Sequence, residues 1–273
     1  MVVPASIARQ EIKYPVPANQ VPAVCRAVEF YCEADRHATT GADGLYTIDS
    51  LYFDTDDFIL FRLAEDNALV RSKVRVRSYV SPAGRSAKVK LEVKFRRGSV
   101  TTKTSASLAA EDWARFAREP ASAPPMANAE EQDAFDKFSM EVLRYRVSPR
   151  IMVRYQRAAY FSYLDDYVRV TFDRRVQAQA HRDFDFEVKP HQWMDIDGAE
   201  MEGEDSTVVM EIKFKQAPPR WLVDIVRRFD LNPYGFSKYG NSVLRFQERA
   251  RLFDAGAQPG GQQRAGLRVS RFN

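Results

Sequence analysis

The sequence predicts an α+β fold, mostly antiparallel β, with helices packed outside the sheet. Three observations predict it. Several stretches alternate apolar and charged residues with the two-residue period of a strand, above all 71–77 and 88–96. The two long strands containing them are joined by Ser81-Pro82-Ala83-Gly84-Arg85, a hairpin loop, which favours antiparallel pairing over βαβ winding. The charged faces of these strands also share one sign, and a closed barrel would gather them around one channel.

In chain order, 9–14 alternates as a short strand, with Arg9, Glu11 and Lys13 on one face. The apolar spacing of Val21, Val24, Cys25, Val28, Tyr31 and Cys32 predicts a first helix over 19–35. After a loop at 40–44 come a strand over 46–54 and a short helix over 56–65, with Thr55 or Asp56 as its cap. The two long strands occupy 69–80 and 86–97. Helices are expected near 109–118 and 130–138, with the Pro/Ala/Ser-rich stretch 119–128 as a surface loop between them. Strands are expected again at 150–157, 167–175, 184–189 and 207–215, the last two separated by the acidic stretch 197–205. Pro218-Pro219 opens a helix through Phe229, proline being favoured in a first turn. The reading is one domain over 1–254 and a flexible tail over 255–273, with no internal repeat.

Composition sets the outer bounds. The chain has 273 residues, 45% apolar and 29% charged, which excludes wholesale disorder and fibrous structure and leaves ample material for a core. No apolar stretch approaches the roughly 20 residues of a membrane-spanning helix, and 1–14 has no apolar signal region, so the chain is expected in the cytoplasm. Cys25 and Cys32, two turns apart on the expected helix, are too distant for a disulfide. The scattered His37, His181 and His191 make no zinc spacing and read as surface residues.

The net charge of +4 (41 Lys+Arg against 37 Asp+Glu) hides a segregation. Summed over the charged strand faces, about 13 cations face about 4 carboxylates, close to +9. Any one alternating strand is most simply a solvated face. Like charges directly opposite one another are destabilising, however, so several strands of one sign imply a missing polyanion. Arginine grips phosphate with a planar fork and lysine adds point charge. Glu11, Glu92, Asp173 and Glu211 on the same faces suit a hard divalent cation better than they suit phosphate. Aromatic residues do not interleave with the basic faces as stacking platforms would, which argues against nucleic acid. No P-loop, G-x-G-x-x-G or HExxH motif is present.

Several runs resemble the VTC domain, the polyphosphate polymerase domain of the triphosphate tunnel metalloenzyme superfamily. They are Arg9-Gln10-Glu11-Ile12-Lys13-Tyr14, Ser50-Leu51-Tyr52-Phe53-Asp54-Thr55 and Lys73-Val74-Arg75-Val76-Arg77-Ser78-Tyr79. Further along come Leu91-Glu92-Val93-Lys94, Arg154-Tyr155-Gln156-Arg157-Ala158-Ala159-Tyr160, Val209-Met210-Glu211-Ile212-Lys213 and Phe236-Ser237-Lys238-Tyr239. The first position is Arg9 where the hydrolase and cyclase branches carry the first glutamate of E-x-E-x-K, which points to the VTC branch.

The resemblance implies an eight-stranded β-tunnel with a basic lumen. It implies catalytic roles for Arg75, Arg77, Lys94, Arg157, Arg169 and Lys238. Lys13, Arg62, Lys73, Lys90, Tyr155, Lys213 and Ser237 would bind substrate. Glu211, with Glu11 second, would hold Mn²⁺ or Mg²⁺. The implied reaction moves the terminal phosphoryl group of ATP onto inorganic polyphosphate. Hydrolysis of tripolyphosphate or a nucleoside triphosphate in the same tunnel is the alternative, as is a non-catalytic polyphosphate-binding module. Eukaryotic members of the family also carry membrane helices, which leaves room for a membrane-protein partner on another chain. Between Arg150 and Arg157 the strand phase is ambiguous, and the motif favours Tyr155 and Arg157 on the lumen face.

Overall fold

The computed structural model describes residues 9–35, 44–81, 84–119, 122–164, 168–197, 207–215 and 217–256. Ten strands form one sheet: β1 (Arg9–Pro17), β2 (Cys32–Ala34), β3 (Tyr46–Asp54), β4 (Val70–Ser81), β5 (Gly84–Arg97), β6 (Val100–Ala109), β7 (Ser148–Ser162), β8 (Arg169–Ala180), β9 (Met194–Asp195) and β10 (Thr207–Lys215). Six α-helices accompany them: α1 (Val21–Glu29), α2 (Ile59–Glu65), α3 (Ala110–Arg118), α4 (Ala129–Tyr145), α5 (Arg220–Arg228) and α6 (Lys238–Gly256).

Eight strands follow the antiparallel path β1-β10-β8-β7-β3-β4-β5-β6, with β2 paired to β7 and β9 to β8. The sheet curls without closing, because no ladder joins β1 to β6 among the described residues. A side-chain contact crosses the gap instead: Lys94 Nζ on β5 lies 3.5 Å from a carboxylate oxygen of Glu11 on β1.

Alternation along the strands builds three cores. On the convex side, Val170, Phe172, Met210, Ile212 and Phe214 pack under α1 and α5. Also on the convex side, Val74, Val76, Leu91, Val93 and Met152 pack under α3 and α4. The third core lies on the concave face. There Ile48, Tyr52, Ile151, Val153, Val176 and Ala178 meet Phe61 of α2 and Tyr239 and Val243 of α6. Thus four helices pack outside, as expected, while α2 and α6 fill one end of the concave face.

Asp54 fixes that end. Its buried carboxylate accepts the backbone N–H groups of Leu60 and Phe61 at the start of α2 and the hydroxyl of Tyr239 in α6. Tyr239 stacks on Tyr52 with ring centroids 4.9 Å apart. The hydroxyls of Tyr52 and Tyr239 are therefore committed and buried.

Several sequence expectations are corrected. The first helix ends at Glu29, and Cys32 lies in β2, where Cys32–Ala34 pair with β7. Both cysteines are free. Residues 184–189 form no strand. Their backbone N–H groups go to side chains, Glu187 to Asp185 and Lys189 to Gln179, so no ladder forms. β6 and α6 were not anticipated, and α6 runs past residue 254 to Gly256. Residues 257–273, most of the acidic stretch and Pro82-Ala83 lie outside the described residues. His181 is buried, with Nε2 3.1 Å from Asp185 Oδ1. No helix among the described residues is long and apolar enough to cross a membrane.

Candidate active site on the concave face

Residues opposite one another in an antiparallel ladder share a face. The pairs Lys13↔Glu211, Glu11↔Lys213, Lys213↔Arg169, Glu211↔Thr171, Arg157↔Asp173, Tyr155↔Ile48, Ser50↔Arg77, Arg75↔Glu92, Lys73↔Lys94 and Lys94↔Lys103 therefore gather onto one concave wall. The β7 ambiguity is resolved by its ladder with β3, in which Tyr155 lies opposite Ile48 and Arg157 opposite Tyr46. Tyr155 and Arg157 face the lumen. Arg154 points outward, where its Nε and Nη2 donate to buried Asp49 at 2.7 and 2.9 Å.

The wall organises around two buried carboxylates. Glu92 accepts Arg75 Nε at 2.7 Å, lies 3.8 Å from Arg77 Nη2 and takes the Lys103 ammonium. Burial alone would raise its carboxyl, but Arg75, Arg77 and Lys103 hold it far below the ordinary range. Its partners are thus these three cations, not Lys90 and Lys94 beside it in sequence. Asp173 binds Arg157 in two parallel bonds of 2.6 and 2.7 Å and also accepts Lys238 Nζ. Burial opposes ionisation of Asp173, yet Arg157 and Lys238 bring it to about 2. Arg157 and Lys238 both lie over the Tyr155 ring, at 5.2 and 4.7 Å from its centroid.

A third group sits at β1 and β10. Glu211 Oε1 lies 2.7 Å from Lys213 Nζ, and Lys13 Nζ lies 3.2 Å from Glu11 and 3.9 Å from Glu211. Burial and the facing Glu211 push the Glu11 carboxyl up, but Lys13, Lys94 and Lys213 outweigh them and hold it below its ordinary value. Glu211 is held well below: burial opposes this, and Lys213, Lys13, Arg157 and Lys238 prevail. Two ionised carboxylates and the buried, unpartnered Thr171 hydroxyl opposite Glu211 are hard oxygen donors of the kind a divalent cation takes.

The turn before α6 reaches across the lumen. Lys13 Nζ donates to the Phe236 carbonyl at 2.9 Å, and Lys73 Nζ donates to Ser237 Oγ at 2.9 Å. Burial, with Lys13, Lys94 and Arg75 nearby, lowers the Lys73 amine to about 8. Buried polar atoms without partners also mark this wall: Ser50 Oγ, the Nε atoms of Arg77 and Arg169, and Thr171 Oγ1. Buried groups left this way are open to a hydrogen bond from a water or a ligand.

Of the sequence-derived site residues, Lys13, Lys73, Arg75, Arg77, Lys94, Tyr155, Arg157, Lys213, Ser237, Lys238, Glu11 and Glu211 are joined in this network. Arg169 lies on the same wall, its Nη2 3.2 Å from Asp35 Oδ2. Lys90 is exposed on β5, opposite Arg77. Arg62 stands apart, paired to Asp57 at 2.5 Å on the surface. Sequence reasoning missed Lys103, because β6 was unseen, and missed that Asp173 anchors Arg157 and Lys238. The Val-Thr-Thr-Lys-Thr run after Gly98, whose φ is 58°, was the available signal for a hairpin there.

The one group of His, Cys, Asp and Glu ligand atoms within 4.8 Å of one another among the described residues is His181, Asp183 and Asp185. It follows β8 and includes none of the lumen carboxylates.

No curated protein matches the sequence. Solved structures with a similar fold include three of low sequence identity. The PH1819 protein of Pyrococcus horikoshii OT3 is 13% identical, covering 86% of this chain and 99% of its own, with a TM-score of 0.42. HpAC1 from Hippeastrum, a candidate adenylyl cyclase with a dominant triphosphatase activity, is 14% identical over 91% and 96%, with a TM-score of 0.49. A candidate adenylate cyclase from Bacillus halodurans is 15% identical over 84% and 95%, with a TM-score of 0.45. The VTC domain itself matches residues 8–247, all of the sheet and the first half of α6, and this chain belongs to the VTC domain family.

Proposed function

We propose that the protein is a metal-dependent polyphosphate polymerase that moves the terminal phosphoryl group of ATP onto a growing polyphosphate chain. Membership of the VTC family supports an enzyme acting on phosphates. The observation that carries the finer reading is the lumen itself. Two clusters of cations are preassembled around internal carboxylates, beside a separate pair of ionised glutamates suited to a metal.

Phosphoryl transfer needs in-line positioning and neutralisation of oxygens more than a covalent nucleophile on the protein. Arg75, Arg77 and Lys103 would take the oxygens of one phosphate, and Arg157, Lys238 and Arg169 those of the next. Lys73 and Ser237 would fix the chain between them, with Lys94 and Lys90 extending the wall. Glu11 and Glu211 would hold Mn²⁺ or Mg²⁺, which would supply neutralisation of phosphate charge. The reading includes a cytoplasmic location with access to ATP, and admits a membrane-protein partner on another chain.

Incubation with ATP and Mn²⁺ or Mg²⁺ should yield polyphosphate and ADP. Free phosphate without polymer selects hydrolysis instead. Tight, salt-sensitive polyphosphate binding without turnover, unaffected by Glu211→Ala, selects a binding module.

A further inference from the structure

A cavity of about 320 Å³ lies beside the cation wall. Its lining includes Val209, Ile196, Tyr234, Phe236 and Asn241, with Lys13 at the edge shared with the lumen. Phosphate has no use for such a lining, which is largely apolar and aromatic, with the Asn241 amide and the buried Asp197 carboxylate, whose Oδ2 accepts the Val176 N–H at 2.8 Å. The volume lies at the small end of the range for small-molecule sites, about 300–1,000 Å³.

The cavity and the cation wall have two residues in common. Lys13 lines the cavity, while its Nζ sits 3.2 Å from Glu11 and 3.9 Å from Glu211. Phe236 also lines it, and the Phe236 ring centroid is 5.9 Å from Lys238 Nζ. The wall segment is held in place beforehand: Tyr234 N–H donates to the Lys13 carbonyl at 2.8 Å, and Lys13 Nζ donates to the Phe236 carbonyl at 2.9 Å. A ligand using both regions carries phosphates at one end and a flat, largely apolar ring with polar edges at the other.

We propose that this cavity takes the nucleobase of the nucleoside triphosphate whose phosphates lie on the lumen cations. The Phe236 and Tyr234 rings would bound the base, and the Asn241 amide would meet a polar edge. The proposal rests on the reading of the lumen as a nucleoside triphosphate site, and it explains how a tunnel built for phosphate would prefer ATP over a bare triphosphate.

The test measures Kd by calorimetry for ATP and for tripolyphosphate on the full chain. The proteins compared are wild type, Ile196→Trp, which fills the cavity, and Tyr234→Ala, at a position 55% exposed and so tolerant of change. Loss of one stacking ring in Tyr234→Ala, or blockage of the base in Ile196→Trp, should weaken ATP by about tenfold or more and leave tripolyphosphate unchanged. Equal ATP affinity in all three proteins overturns the proposal while the lumen reading stands. A wild type that binds neither ligand overturns the lumen reading and this proposal with it. If Ile196→Trp loses both ligands, the fill has disturbed the lumen, and Tyr234→Ala decides: ATP selectively weakened supports the base site, ATP unchanged overturns it.

Discussion

Replacing Glu92 by glutamine asks whether the lumen is preorganised for an anion. The side chain keeps its shape but loses the charge on which Arg75, Arg77 and Lys103 converge. At 2.7 and 3.8 Å the two arginine contacts correspond to about 6 and 4 kcal/mol of gross attraction at an effective dielectric of about 20. Desolvation of the buried carboxylate cancels much of this. Removing one partner of a buried pair still costs about 3–5 kcal/mol, because the others stay uncompensated. With about 2–4 °C per kcal/mol for a domain approaching this size, the free variant should melt about 6–20 °C lower than wild type. Tripolyphosphate supplies the missing charge, so it should raise the melting temperature of Glu92→Gln more than that of wild type. The assay is thermal unfolding with and without tripolyphosphate. A variant within about 1 kcal/mol of wild type, or equal ligand shifts in both proteins, refutes the idea that Glu92 holds these cations in wait for phosphate.

Three further outcomes follow from the same geometry. Arg157→Ala leaves Asp173 with Lys238 alone; turnover should fall by about 10²–10³-fold, and a smaller fall in steady-state assays removes Arg157 from the catalytic set. Tyr239→Phe keeps the stack on Tyr52 but deprives buried Asp54 of a donor, costing about 1–3 kcal/mol in denaturant unfolding; an unchanged midpoint means the bond at the start of α6 adds nothing. Lys73 titrates near 8 in the free fold against an ordinary 10.5, so between these values the unfolded chain holds more protons, and the cost of burying its charge is relieved as pH rises through that window. A polyanion restores its proton, so tripolyphosphate should bind with proton uptake near pH 8 and weaken above it; calorimetry in two buffers that reports no uptake contradicts this.

Much of this molecule was legible because its strands are long and alternate strictly. The limits of β3 and β10 follow directly from sequence, and the charged faces of β4 and β5 are the two that meet in the lumen. What escaped depended on tertiary partners. The helical spacing of Tyr31 and Cys32 continues that of α1, but pairing with β7 turns Cys32–Ala34 into a strand. Phe184 to Lys189 reads as a strand, yet side chains of Asp185 and Gln179 take its N–H groups. β6 is rich in Thr and Ser and buries only Ala106 and Leu108, so its hydrophobic signal is faint and Lys103 was lost with it. The lumen cations were readable as a set. Their grouping around Glu92 and Asp173 was not, because it is decided by register between strands far apart in sequence.

As proposed, this wall transfers the γ-phosphoryl group of ATP to a polymer. The most direct measurement of this transfer follows γ-labelled ATP with Mn²⁺ or Mg²⁺ through gel separation of the products, with Glu211→Ala alongside. Label should appear in long polyphosphate, with one ADP released for each phosphate added, and both should be lost in the variant. Label recovered only as free phosphate, or no release of ADP at all, contradicts the proposal.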